Sequence, residues 1–207
     1  MQMSFFVNSF KGYLIGLIEW FAESMKNIYL TIISYGPDEE LLSQKIASLP
    51  PSVRNRIEWY GKTDYNHLED YYKKASIYVG MGTTVLDASL RGVVSIPVQA
   101  YTYQLVAEDF LFNDYSKVAI DEGNLSRFDD LIAQYESMDK DERKAVSDRS
   151  RHIVMENYNT ISIVDELIQM LESSGINCLP FGLELYRWYQ AGKAMIKRRK
   201  IKDDNAQ

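Results

Sequence analysis

The stretch 76–97 constrains the fold of this chain most, because it combines two strands, a glycine turn and a helix in one short run. It predicts, in order, a strand at 76–79, a turn at 80–82, a helix at 83–91 and a buried strand at 93–96. Such a turn places unpaired backbone N–H groups and the positive end of a helix dipole at its surface. That geometry suits a phosphate.

Short continuous apolar runs alternate with helical patterns along most of the chain. The predicted strands are 4–8, 30–34, 56–60, 76–79, 93–96 and 117–120. The predicted helices are 13–25, 39–48, 65–74, 83–91, a short one near 105–110, and then 127–138, 140–158, 162–173 and 183–200. Continuous apolar strands are typical of a parallel sheet covered on both faces. We therefore expect an α/β fold: a doubly wound parallel sheet of about six strands with a helical C-terminal tail.

The expected strand order brings two separate turns together. In the commonest doubly wound order, 3-2-1-4-5-6, strands one and four are neighbours, and ligands bind beyond the strand C-termini where that order reverses. The turn after strand one carries Lys11, and the turn after strand four carries Gly80, Gly82, Thr83 and Thr84. Two turns suited to phosphate would then meet in one crevice.

Composition excludes several classes of function. The net charge of −6 argues against general nucleic-acid binding. One cysteine, Cys178, cannot form an internal disulfide, and with only two histidines we expect no metal site. No signal peptide or apolar run of membrane length is present, so we expect a cytoplasmic chain.

Four phrases carry a resemblance: LTIISYGP at 30–37, RIEWYG at 56–61, LEDYYKKASIYV at 68–79 and GTTVLDASLRGVVSI at 82–96. With Lys11-Gly12 after the first strand, their order and spacing resemble the nucleotide-binding C-terminal domain of retaining glycosyltransferases of the GT-B fold, the glycosyltransferase group 1 (glycogen-synthase-like) family. The resemblance covers roughly residues 4–120. It implies a Rossmann-like donor-binding core at 1–125 and a helical C-terminal part of the same domain at 126–207, with a terminal basic helix at 183–200.

The resemblance implies a donor substrate, a nucleoside diphosphate (NDP) sugar of unspecified base, and no bound cofactor. The implied binding residues are Lys11, Gly12, Gly61, Lys62, Gly82, Thr83, Thr84 and Asp87. Lys11 would contact the diphosphate, and the backbone of 82–84 would hold the distal phosphate. Asp87 stands where a family glutamate accepts hydrogen bonds from the ribose hydroxyls, and residues 61–62 would flank the base. No catalytic residue is assigned.

Two of these residues have a second interpretation. Lys11 can equally be a solvated loop charge. Asp87 lies three residues after Thr84, which is a capping-box pattern with aspartate in place of the usual Glu or Gln. Capping and ribose binding both stay open for Asp87.

Departures from the family pattern shape the expected function. Phe5 and Phe6 stand where a phosphate-binding arginine is expected, and Val79 stands where the first glutamate of a paired motif is expected. We expect the donor-binding half of a hexosyltransferase in polysaccharide or glycoconjugate synthesis, unlikely to be active alone, with the N-terminal acceptor domain missing or carried by a partner chain. The alternatives are a non-catalytic nucleotide-sugar-binding or assembly module with the same half fold, and half of a sugar-nucleotide epimerase.

The segment 183–202 mixes apolar and aromatic residues with a basic end. In the resembled fold, the terminal helix crosses to the N-terminal domain, and packing on protein is the first interpretation. The second is attraction to anionic lipid, as a peripheral protein on the inner face of the membrane.

Overall fold

One parallel sheet organises the fold. The structure is a computed structural model that describes residues 3–8, 12–24, 27–37, 39–99, 102–118 and 127–173. Its strands are β1 (Met3–Asn8), β2 (Ile28–Ile33), β3 (Ile57–Tyr60), β4 (Ile77–Gly80) and β5 (Val94–Pro97). They lie in the order β3-β2-β1-β4-β5, and every pairing is parallel. This confirms the predicted α/β class and the predicted order of the first five strands.

Helices follow the strands and continue after the sheet. They are α1 (Tyr13–Glu23), α2 (Glu39–Ala47), α3 (Pro51–Arg54), α4 (Leu68–Lys74), α5 (Thr83–Leu90), α6 (Arg127–Ser137), α7 (Lys140–Asn157) and α8 (Thr160–Ser173). A 3₁₀ turn, Tyr65–His67, leads into α4. Among the described residues, no helix combines the length and the apolar composition needed to cross a bilayer.

The sheet is buried on both faces, as its continuous apolar strands predict. Along β1, Phe5 and Val7 belong to a cluster with side chains of α1, α2 and α6, whereas Phe6 belongs to a second cluster with side chains of α4, α5 and α7. Successive side chains of a strand point to opposite faces. The two clusters are therefore the two faces of one sheet, each covered by helices.

Two predicted elements differ from the structure. The predicted helix near 105–110 is wrong: Ala107 forms an antiparallel bridge with Val98, and the backbone N–H of Gln99 donates to Val106 O at 3.0 Å, so this stretch is extended. The predicted sixth strand at 117–120 is not formed at Lys117 and Val118, and its other two residues lie outside the described part of the chain.

The chain divides into two compact units, residues 1–158 and 159–207. The first contains the sheet and the helices α1 to α7, and the second contains α8. The predicted basic helix at 183–200 lies outside the described residues.

Candidate functional site

The point at which the strand order reverses lies between β1 and β4, as the sequence predicts. β1 pairs with β2 on one side and with β4 on the other, with Phe6 opposite Tyr78. Because the strands are parallel, the loops that follow β1 and β4 open at the same edge of the sheet, where the strand order reverses. Lys11 lies outside the described residues, and Gly12 is the residue that precedes α1.

Gly82 shapes the turn at the end of β4. Its backbone has φ 65° and ψ −146°, a region that is essentially restricted to glycine. A Cβ at this position would have no atom within 4 Å, so conformation and not space requires glycine here. The N–H of Gly82 donates to Val118 O at 2.6 Å and is therefore engaged within the protein.

The first turn of α5 carries two of the three backbone positions that the resemblance implies for phosphate binding. α5 begins at Thr83, which is exposed, and no side chain caps its start. The hydroxyl of the half-buried Thr84 donates to Met81 O at 2.8 Å. Helix geometry leaves the first N–H groups, those of Thr83 and Thr84, without intrahelical acceptors. Of the three predicted backbone positions, these two can therefore donate to an anion.

Gly12 has a packing role at the start of α1. A Cβ on this residue would lie 2.8 Å from Thr102 O and 3.3 Å from the ring of Tyr103. The loop after β5 therefore lies directly against the start of α1. That contact places Thr102 and Tyr103 beside Gly12.

Gly61 and Lys62 lie at the same edge, after β3. Gly61 is exposed, and a Cβ there would meet nothing within 4 Å. The ammonium of Lys62 lies 5.8 Å from the ring centre of Tyr35, which follows β2. β3 is three strands away from β4, which corresponds to about 14 Å between strand axes. Direct contact between Lys62 and the turn at Gly82 is not among the described contacts.

Tyr65 connects the β3 loop to α5. Its hydroxyl donates to the carboxylate of Asp87, 2.9 Å from Oδ1 and 3.0 Å from Oδ2. The loop that carries Gly61 and Lys62 therefore reaches the helix that carries Thr83 and Asp87. The predicted residues on β3 and β4 are joined through a residue that the sequence analysis did not single out.

Arg91 is the second partner of Asp87. One terminal nitrogen of its guanidinium donates to Asp87 Oδ1 at 2.7 Å and to Asp87 O at 2.9 Å, while Nε donates to Glu69 Oε2 at 2.7 Å. Burial acts to lower the pKa of Arg91, but the hydrogen bonds to Glu69 and Asp87 outweigh burial and raise that pKa. The guanidinium is therefore a permanent cation between two carboxylates.

These contacts exclude one of the two interpretations of Asp87, the capping box, and leave ribose binding as a prediction. A capping box would need Thr84 to cap the helix, but α5 already begins at Thr83 and Gly82 occupies the cap position. The carboxylate of Asp87 instead accepts from Tyr65 and Arg91. The capping interpretation is wrong.

Tyr65, Glu69 and Arg91 were not predicted from the sequence. The pair of Asp87 and Arg91 has a usable signal, because opposite charges four residues apart on a helix face each other. Tyr65 has no local signal, since its contact with Asp87 depends on how the β3 loop crosses to α5.

The groups at this edge could donate hydrogen bonds to an anion and accept them from hydroxyl groups. It presents N–H groups at a helix start, a lysine beside an exposed aromatic ring, and a carboxylate one turn along α5. Within the described residues, no group of three or more His, Cys, Asp or Glu side chains could hold a metal ion.

Comparison with known proteins identifies a shared fold and no close relative. No protein-family model matches the chain, and no curated protein matches it. Among solved structures, HepE from Anabaena in complex with UDP and glucose matches with a TM-score of 0.58 and 15% identity over 82% of this chain. A glycosyltransferase from Rickettsia africae matches with a TM-score of 0.59 and 14% identity over 84% of this chain. The lipopolysaccharide outer core galactosyltransferase WaaB matches with a TM-score of 0.53 and 15% identity over 79% of this chain.

The chain spans about half the length of these structures: 48% of HepE, 48% of the Rickettsia protein and 49% of WaaB. Each likeness therefore covers about half of the solved protein. The fold of this chain is that of a Rossmann-like half of a GT-B glycosyltransferase.

Proposed function

We propose that this chain is the donor-nucleotide-binding half of a glycosyltransferase that uses an NDP-sugar. The observation that carries the proposal is the arrangement at the switch point. There, the loops after β1 and β4 follow the same edge of the sheet, and no side chain caps the start of α5. The structural likeness to HepE, whose structure contains UDP and glucose, supports the same assignment.

Each part of the edge has a role in this proposal. The N–H groups of Thr83 and Thr84 bind the distal phosphate in the turn shaped by Gly82, and Lys11 after β1, next to Gly12, binds the diphosphate. Asp87 accepts from the ribose hydroxyls. Gly61 leaves open space for the base beside Lys62. Donors placed in advance around the leaving diphosphate stabilise the charge that develops as the glycosidic bond breaks.

The acceptor-binding half would come from another part of the protein or from a partner chain. We place the present chain as the C-terminal, nucleotide-binding half in the group 1 family, acting in polysaccharide or glycoconjugate synthesis in the cytoplasm. The basic segment 183–202 would pack on the acceptor half. If it bound anionic lipid at the inner membrane face instead, neutralising residues 197–200 would abolish flotation with anionic liposomes.

A non-catalytic binding module is the second candidate. It is favoured by the buried residues that stand in the places of the expected arginine and of the expected glutamate. Phe5 and Phe6 occupy the place of the expected arginine, and both are core residues. Val79, in the place of an expected glutamate, is likewise fully buried. No charged side chain of the family pattern acts from these positions. Such a module would bind NDP-sugar without turning it over, even when an acceptor half is supplied.

Calorimetric titration of the chain with UDP, GDP and ADP tests nucleotide binding. We expect one of them to bind, and Lys11→Ala to weaken that binding by about ten-fold or more, the effect of one charge-assisted hydrogen bond. Lys45→Ala is the matched control, because Lys45 pairs with Glu19 between α1 and α2, away from the crevice. Absence of binding of all three nucleotides at millimolar concentration would contradict the proposal.

A further inference from the structure

Arg91 joins three elements beside the proposed nucleotide site. It follows α5 and contacts Asp87 on α5, Glu69 on α4 and the ring of Tyr65, whose centre lies 5.9 Å from the guanidinium carbon. The ring of the buried Tyr72 lies on the guanidinium too, at 4.9 Å. A planar cation that is held by two carboxylates and two rings has little freedom to reorient.

The carboxylate of Asp87 has unused acceptor capacity. Oδ1 accepts from Arg91, and the single hydroxyl proton of Tyr65 is shared between Oδ1 and Oδ2. A carboxylate offers about four acceptor positions. Among the described contacts, these two partners therefore leave room for further donors, mainly at Oδ2.

Asp87 is also at the right distance from the phosphate donors. Thr83 and Asp87 are four residues apart on α5, so they share one face of the helix and lie about 6 Å apart along its axis. A nucleoside diphosphate with its distal phosphate at the start of α5 therefore has its ribose within reach of Asp87.

Tyr65 contacts both carboxylate oxygens of Asp87 through its hydroxyl. Its hydroxyl oxygen lies within 3.0 Å of both oxygens of Asp87, as a donor facing the whole carboxylate does. The side chain is not held by burial, because Tyr65 is 60% exposed. A ligand hydroxyl can therefore replace the phenol at Asp87 without disturbing the core.

We propose that Arg91 is a positioning residue that fixes the carboxylate of Asp87 for the ribose 2′- and 3′-hydroxyls, and that Tyr65 holds their place in the free protein. This rests on the proposed nucleotide-binding function. Arg91 itself contacts no ligand. It sets the orientation of Asp87 through one oxygen and leaves the other for the diol, and its charge offsets the repulsion between Asp87 and the diphosphate.

The test compares UDP with 2′,3′-dideoxy-UDP by calorimetry, with the ADP and GDP pairs measured in parallel. We expect the wild-type chain to prefer the ribose form by about ten-fold, and Arg91→Ala to reduce this preference nearly to unity. A general loss of structure or of charge weakens both ligands equally and leaves their ratio unchanged. Lys45→Ala, at an ion pair on other helices, should keep the wild-type ratio.

Two further variants keep the test decisive. If circular dichroism shows that Arg91→Ala is unfolded, Arg91→Lys carries the same ratio test, because lysine keeps the charge but cannot bind Asp87 and Glu69 in one fork. Tyr65→Phe removes the competing hydroxyl and should tighten binding of UDP while leaving dideoxy-UDP unchanged.

The outcomes separate the two proposals. If no nucleotide binds, the proposed function fails and this inference fails with it. If nucleotides bind but the wild-type chain does not distinguish ribose from dideoxyribose, or if the Arg91 variants keep the wild-type ratio, the positioning role alone is overturned. Weaker binding of UDP to Tyr65→Phe would overturn the placeholder role of Tyr65.

Discussion

At the scale of single residues, the backbone of Gly82 determines how α5 begins. Replacing it with alanine should lower the free energy of unfolding by about 1–3 kcal/mol, because its φ and ψ lie in a region that side chains strain. Gly61→Ala is the matched control, since it adds the same methyl group to an exposed loop with nothing within 4 Å. Urea unfolding measures both variants. If both variants lose the same free energy of unfolding, backbone strain at Gly82 is not the cause of the destabilisation.

The site residues differ in how far the sequence predicts them. The glycine turn is predicted because a strand, a turn and a helix follow one another locally, whereas the site role of Asp87 is implied only by the resemblance to a family glutamate. Arg91 was not predicted, although the spacing rule for opposite charges on a helix could have identified it. Tyr65 could not be predicted, because its contact with Asp87 bridges two elements that meet only in the folded sheet.

At the scale of elements, a capping box defines the start of α7. The side chain of Asp139 accepts from the N–H groups of Asp141 and Glu142, while Glu142 accepts from the N–H of Asp139. We expect Asp139→Ala to destabilise the protein by about 1 kcal/mol and Asp139→Asn to have little effect, since asparagine caps as well as aspartate. Thermal unfolding measures both. If both variants lose the same amount of stability, the charge of Asp139 and not its cap hydrogen bonds is responsible.

The sequence predicts those elements well whose ends are encoded by neighbouring residues. α7 was expected at 140–158 and runs from Lys140 to Asn157, because its start is encoded by neighbouring residues. The segment 105–110 was expected to be helical, but Ala107 pairs with Val98. The partner strand overrides the local preference there, and no local pattern reports that partner.

At the scale of the whole molecule, the first unit contains the buried core that the structure describes. Every buried side chain of the described residues lies between Met3 and Val154. We therefore expect a chain that ends at Tyr158 to unfold cooperatively and to bind UDP as the full chain does. A chain that ends at Met138 is the control: it loses α7, whose Val154 belongs to the core and whose Ser147 donates to Gly92 O, so it should not unfold cooperatively. Loss of cooperative unfolding or of UDP binding in the longer chain would mean that residues 159–207 are needed for the first unit to fold or bind.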